Sequence, residues 1–346
     1  EFRRVLFRSA RATDRQTALV TPLQPWLIIA AGCVAALQVG KLPPALPTLQ
    51  AQLELSLLQA GFLLSVVQGS GMVLGLMLGQ WIDGYGLRRS MFSGLLFLAV
   101  GSTMGALSSL CPPEVTVMVL LASRVVEGVG FLLTVLPGPA LLRRSVESHQ
   151  LSPFLGYWGT YMPIGMSSAL LLGPFWLQSA PWSSWWCLFA LLSALMALAI
   201  SRGVTPDPTR AGPRVDVGAL FERMRMTLSM RGPWLLALMF GVYSAQWLSV
   251  IGFLPSIYAA AGVQGAALAV LTALAAAVNM GGNMMSGLLL QRGWSERRTL
   301  LTGYTAMVLG SALAFAEWTQ GWPWLRYGGV LLFSCVGGLI PGTLFS

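Results

Sequence analysis

Gly79-Gln-Trp-Ile-Asp83-Gly84-Tyr85-Gly86-Leu87-Arg88-Arg89 closes one long apolar run and opens the next. Two hundred and eight residues later, Gly287-Leu-Leu-Leu-Gln291-Arg292-Gly293-Trp294-Ser295-Glu296-Arg297-Arg298 does the same. Each stretch has a glycine four residues before an Asp or Gln, then a glycine-bearing turn, then an Arg-Arg pair that leads into more apolar sequence. A membrane chain that repeats itself at about 200 residues reads as two copies of one helical bundle, with function expected where the copies meet.

Composition agrees. Hydrophobic residues make up 55% of the chain and charged residues 10%, with a mean hydropathy of +0.70. A soluble domain carries about 25% charged residues, so this chain is built for lipid. The formal net charge of +9 is scattered between apolar runs rather than gathered with aromatics along a groove, which argues against nucleic acid as a partner. Cys33, Cys111, Cys187 and Cys335 are far apart and mostly within apolar runs, and they suit neither a disulfide framework nor a metal site. Neither a metal nor a cofactor is expected.

A helix needs about 20 mostly apolar residues to cross a bilayer. Ten runs qualify, roughly 24–42, 57–80, 90–109, 115–140, 152–177, 183–201, 233–259, 264–290, 299–317 and 326–346. They are too long for tilted strands, so the expected fold is an all-α polytopic membrane protein. Pro43, Pro44, Pro137, Pro163, Pro174 and Pro255 within or beside the runs predict kinks. Glu1–Ser9 resembles the in-frame translation of a common sequencing-library adapter and is set aside from the fold.

The basic residues fix the expected orientation. The tail at 10–23, the loops at 88–89, 143–144 and 292–298, and the segment 202–231 hold nearly all of them. The opposite side holds Lys41 and Arg326 only, and Arg124 lies inside a run. The N-terminus is therefore expected in the cytoplasm of a bacterial inner membrane. The division that follows is an N-terminal bundle of six spans at 24–201, a cytoplasmic linker with an interfacial helix at 202–232, and a partial C-terminal bundle of four spans at 233–346. A chain of this kind reads as a fragment lacking two further spans, and as a monomer.

At this point the residues resemble the major facilitator superfamily of secondary transporters. That family's loop between spans two and three reads Gly-x-x-x-Asp-(Arg/Lys)-x-Gly-x-(Arg/Lys)-(Arg/Lys), and Gly79, Asp83, Gly86, Arg88 and Arg89 match it. Gly84 stands where a basic residue is usual. The resemblance implies two six-helix bundles related by a pseudo-two-fold axis and a cytoplasmic latch, with Asp83 facing a helix N-terminus and pairing with Arg. In the second copy Gln291 holds the acid position beside Arg297 and Arg298, which implies a weaker latch.

Arg124-Val-Val-Glu127-Gly128-Val-Gly130 in span four resembles the family's Arg-x-x-Gln-Gly-x-Gly signature, with Glu127 in place of the amide. Arg124 and Glu127 are three residues apart and share a helix face, so they can neutralise each other. Glu127 is the one acid well inside a run and therefore a candidate proton carrier; the alternative is a purely structural pair. Gly159 to Gly165 and Gly173-Pro174 in span five match the antiporter pattern of the family only in part, so no antiporter is assigned. Gly71, Gly75 and Gly79 form a small-residue ridge on span two. Asn279 and Asn283 fall at the corresponding places of span eight and either bind substrate or bond across to span five. Gln38, Tyr161, Tyr243 and Gln246 are mid-span groups that can reach a central cavity. Lys41, at the outer end of span one, can attract an anionic substrate into an outward cavity, but it is expected to snorkel to the headgroups.

The function implied is secondary active transport of a small solute by alternating access, coupled to protons or another ion. Two alternatives stand beside it: a transporter-like receptor or sensor, and an integral membrane enzyme. The enzyme is disfavoured because the chain has one His and no paired acids in any span.

Overall fold

Proline and glycine decide where the rods of this protein break. The computed structural model describes residues 22–207 and 217–344. The proposed adapter segment, nearly all of the N-terminal tail, and residues 208–216 of the linker lie outside the described residues.

Sixteen α-helices occur among the described residues, with no strand. Span one consists of α1 (Gln24–Gly40) and α2 (Leu42–Leu53), span two of α3 (Leu57–Tyr85) and span three of α4 (Leu87–Leu107). Span four comprises α5 (Pro113–Val135) and α6 (Gly138–Ser145), and span five α7 (Ser148–Gly159) and α8 (Tyr161–Ser179). Span six is α9 (Trp182–Gly203), followed by the linker helix α10 (Val217–Ser229). Span seven is α11 (Arg231–Ala260), and span eight is α12 (Gly265–Ala277) with α13 (Asn279–Gln291). Span nine is α14 (Glu296–Phe315), and span ten is α15 (Pro323–Gly337) with α16 (Leu339–Leu344). Eight of the ten rods are long and apolar enough to cross a membrane by themselves. Span five falls short because α8 is diluted by Tyr161, Pro163, Ser167, Ser168, Pro174 and Gln178, and span nine because it opens with Glu296-Arg297-Arg298.

The breaks in spans one, four and five have a local cause in proline. Pro43 and Pro44 have no N–H to offer Val39 and Gly40, so span one is interrupted at Lys41 and resumes as α2. Pro163 withholds its donor from Gly159, and the interruption of span five falls at Thr160. Pro137 divides span four. At the start of span two, Ser56 Oγ accepts from Gln59 N at 3.2 Å while Gln59 Oε1 accepts from Ser56 N at 2.9 Å, a reciprocal cap.

In the N-terminal half, span three packs on spans four and six, span one on five and six, and span two on four. In the C-terminal half, span ten packs on nine and eight. Contact between the halves is concentrated at the ends away from the linker. There α2 lies against α11 and α12 against α8. Ser256 Oγ donates to Gln50 Oε1 at 3.3 Å, and Gly252 faces Leu64. The buried apolar side chains run continuously through spans one, three, four, five, seven and ten.

The ridge of Gly71, Gly75 and Gly79 is open: a Cβ built on Gly75 or Gly79 meets nothing within 4 Å among the described residues, and one on Gly71 only grazes Leu132.

Candidate functional site

The break in span one determines where Lys41 goes. Because the chain continues as α2 to Leu53, Lys41 sits mid-rod rather than at the membrane surface, and it is 0% exposed. The expected snorkelling is thus corrected: the ammonium turns into the bundle. Lys41 Nζ lies 2.5 Å from Glu127 Oε1 and 2.7 Å from both Gln38 Oε1 and Ser102 Oγ. It stands 5.2 Å from the ring centroid of Trp186, within range of a cation–π contact.

Glu127 bridges two cations. Its Oε2 accepts from Arg124 Nη1 at 2.5 Å, and its Oε1 accepts from Ser102 Oγ at 3.1 Å as well as from Lys41. The pairing expected between Arg124 and Glu127 is present, with both side chains buried. Arg124 also donates through Nη1 to the Gln38 carbonyl at 2.8 Å and through Nε to the Leu63 carbonyl at 3.4 Å. Span three makes room for this cluster with glycine. A Cβ on Gly101 would stand 2.6 Å from Glu127 Cγ, and one on Gly105 would stand 2.5 Å from the Trp186 ring. Gln38 completes the frame, donating to the Phe189 carbonyl and to Ser193 Oγ, so it is fixed between spans one and six.

Among the described residues these are the only buried charged side chains. With Lys41 protonated, two cations face one carboxylate. Burying charge in the apolar interior is costly unless it is paired, and here one positive charge is in excess. Arg124 Nη2 is buried and without a hydrogen-bond partner, and among the described residues the indole Nε1 of Trp186 is the other such atom. Both are donors, and both belong to this cluster.

The other sequence candidates separate. Asn279 and Asn283 do not bond to span five: Asn279 Nδ2 donates to Tyr243 Oη at 3.1 Å and to the Ser334 carbonyl at 2.8 Å, and Asn283 Nδ2 donates to Asn279 Oδ1 at 2.9 Å. Trp247 Nε1 donates to Ser334 Oγ at 3.0 Å, which makes a neutral network linking spans seven, eight and ten. The expected bond to span five is not made; the Asn279 amide is engaged instead by Tyr243 of span seven and Ser334 of span ten. Tyr161 is half-buried against Trp158, with ring centroids 4.9 Å apart. Gln246 is exposed.

A second assembly lies at the linker end. The carboxylate at the N-terminus of α4 belongs to Asp207, just beyond span six. Its Oδ1 accepts from Arg88 N at 3.2 Å and its Oδ2 from Arg89 N at 3.1 Å, and Arg144 Nη1 pairs with it at 3.3 Å. Arg88 answers by donating its guanidinium to the carbonyls of Ile200 and Ser201 at the last turn of span six. Acid at a helix start and base at a helix end both complement the helix dipoles. Gly86 is required twice over: its φ is +110°, and a Cβ there would stand 2.5 Å from Asp207 Oδ2. Asp83 lies in the last turn of α3, and its side chain lies outside the described residues. In the second loop Ser295 Oγ caps Arg298 N at 3.3 Å, while Gln291 and Arg297 are exposed.

Sequence reasoning missed Asp207, Ser102 and Trp186 and misplaced Lys41. A usable signal existed for Asp207: the chain has only 12 acidic residues, and this one sits between two prolines at the edge of a span.

Comparison with known proteins agrees with this architecture. The sequence profile of the Major Facilitator Superfamily matches residues 28–346. No curated protein sequence matches the chain. Among solved structures, the partially occluded inward open conformation of the xylose transporter XylE from E. coli aligns with a TM-score of 0.72 at 13% identity, over 93% of this chain and 85% of that one. A D-xylose-proton symporter aligns with a TM-score of 0.62 at 15% identity, over 92% and 80%. A bacterial homologue of the human lysosomal transporter Spinster, inward-facing and unoccupied, aligns with a TM-score of 0.62 at 15% identity, over 94% and 74%. With ten apolar rods in two bundles and a profile match over nearly its whole length, this multi-pass membrane chain belongs to the major facilitator superfamily.

Proposed function

We propose that this protein moves a small solute across a bacterial inner membrane by alternating access, with proton movement coupled to it and the linker on the cytoplasmic side. The observation that carries the reading is the buried Lys41–Glu127–Arg124 cluster, which joins spans one and four deep in the N-terminal bundle. An intramembrane charge cluster is maintained against a cost of several kcal/mol, and such groups mark solute and proton paths. The contacts between the halves, gathered at the end away from the linker, support an arrangement open toward the linker.

Charge counting assigns the roles. Protonating Glu127 leaves two cations side by side, whereas deprotonating Lys41 leaves a neutral Arg124–Glu127 pair. Lys41 is therefore the group that takes and releases the proton, and Glu127 is the fixed counter-ion that holds both cations in place. Asp83, Asp207, Arg88, Arg89 and Arg144 form the linker-side latch in this scheme, with Gly79 and Gly86 shaping its turn. Gln291, Arg297 and Arg298 give a weaker counterpart in the other half.

The test is solute-driven proton flux. The full chain is reconstituted in vesicles with an internal pH dye, and candidate solutes are added. A solute-dependent pH change that disappears in Lys41→Met supports the reading. Solute uptake with no pH change transfers the coupling to another ion. Binding without uptake of any solute replaces the transporter with a receptor.

A further inference from the structure

The buried cluster has a charge imbalance that no described residue of the bundle corrects. Lys41 is faced by Gln38 of its own span, Ser102 of span three, Glu127 and Arg124 of span four and the Trp186 ring of span six. One carboxylate is present for two cations. The two buried polar atoms without a partner among the described residues, Arg124 Nη2 and Trp186 Nε1, are both hydrogen-bond donors, so the missing complement is an acceptor with negative charge.

We infer that the cluster is the seat of a singly charged anion, a carboxylate or a small planar oxyanion, bound through the free side of the Arg124 guanidinium. This inference rests on the transport reading of the same site and names its substrate class. A guanidinium is a permanent cation whose N–H groups make charge-assisted hydrogen bonds to carboxylate and oxyanion oxygens. Glu127 and the Gln38 carbonyl occupy Nη1 and the Leu63 carbonyl occupies Nε, which leaves the N–H groups of Nη2 for the ligand. A single negative charge brings the protonated cluster to neutrality, and a dianion would overshoot it. The neutral network of Tyr243, Asn279, Ser334 and Trp247 in the other half contributes no charge of its own. Anion and proton thus enter as a charge-balanced pair: Lys41 gains a proton, the ligand brings one negative charge, and Arg124 and Glu127 remain paired throughout.

The test is a thermal-shift titration of the full chain in detergent with sodium acetate, benzoate, nitrate and chloride, with a neutral pentose as control, all at constant ionic strength. A saturable rise in melting temperature with at least one anion and none with the pentose is expected, because a ligand that binds only the folded state stabilises it. Arg124→Lys keeps the charge but loses the Nη2 donors, and it should weaken the apparent affinity about tenfold. Glu127→Gln keeps the shape and removes the competing carboxylate, and it should tighten binding several-fold, a change that a purely structural ion pair would not produce. A response to carboxylates alone identifies an organic acid, and one to nitrate or chloride an inorganic anion. No saturable response to any of the four anions overturns the inference, as does a response equal in wild type and in both variants. Vesicle uptake separates the two readings. Anion binding without uptake leaves the anion seat standing and removes transport, while uptake of the pentose with no anion effect does the reverse.

Discussion

Lys41 Nζ and Glu127 Oε1 lie 2.5 Å apart across a sequence separation of 86 residues, fully buried, with Arg124 on the other carboxylate oxygen. Removing the acid alone leaves two adjacent buried cations. Glu127→Ala should therefore lower stability by about 3–5 kcal/mol, as the loss of one partner of a buried pair does. Thermal unfolding in detergent measures this. Adding Lys41→Met to the same chain should recover part of the loss, so that the double variant is more stable than Glu127→Ala by itself.

Uptake should depend on pH with a definite sign. The loaded state requires a proton on Lys41, so transport rises as the pH on the solute side falls. Lys41→Met, which cannot take the proton, should give a flat profile. A sloping profile in that variant, measured by uptake across a pH series, would assign the proton to another group.

The linker-end cap predicts a coupled pair of substitutions. Asp207→Ala removes the carboxylate from the start of α4 and should cost about 1–2 kcal/mol. Gly86→Ala forces a Cβ onto a backbone with φ of +110° and into contact with Asp207, and it should cost about 1–3 kcal/mol. Because part of the second cost is the clash with Asp207, the double variant should lose less than the sum of the two. Additive losses in a double-mutant cycle would show that the clash is relieved without Asp207 moving.

The C-terminal network makes a contrast between two amides. Asn279→Leu strands the Tyr243 hydroxyl and takes one of two donors from the Ser334 carbonyl, and it should cost about 1–3 kcal/mol. Gln246→Ala, at an exposed position, should fall within about 0.5 kcal/mol of wild type. Melting temperatures of the two variants under one condition decide this.

The rods were legible because lipid allows few alternatives: a run of apolar residues long enough to cross must be helix. The Arg124–Glu127 pair was legible because three residues along a helix always share a face. Lys41 was misread for an equally physical reason. The apolar run ends near residue 42, so hydropathy places the lysine at the surface, yet Pro43 and Pro44 break the helix without ending it and α2 continues to Leu53. Asp207 escaped because its partners, Arg88, Arg89 and Arg144, are brought to it by the packing of spans three, four and six, which no local pattern encodes. The two amides 208 residues apart, Gln38 and Gln246, show the limit of reading by repeat: one is clamped inside the charge cluster and the other is exposed.

That the three buried charges among the described residues all reside in the N-terminal bundle has an electrical consequence. A charge carried fully across a membrane at 100 mV exchanges about 2.3 kcal/mol with the field. Rocking of the protonated, unoccupied protein would displace its excess charge through some fraction of that field and so be voltage-sensitive. The form holding both anion and proton, and the form holding neither, would swing without feeling the voltage. Neutrality would then act as the permit for crossing, and slippage, the passage of a proton without its anion, would be suppressed by the membrane's low permittivity itself.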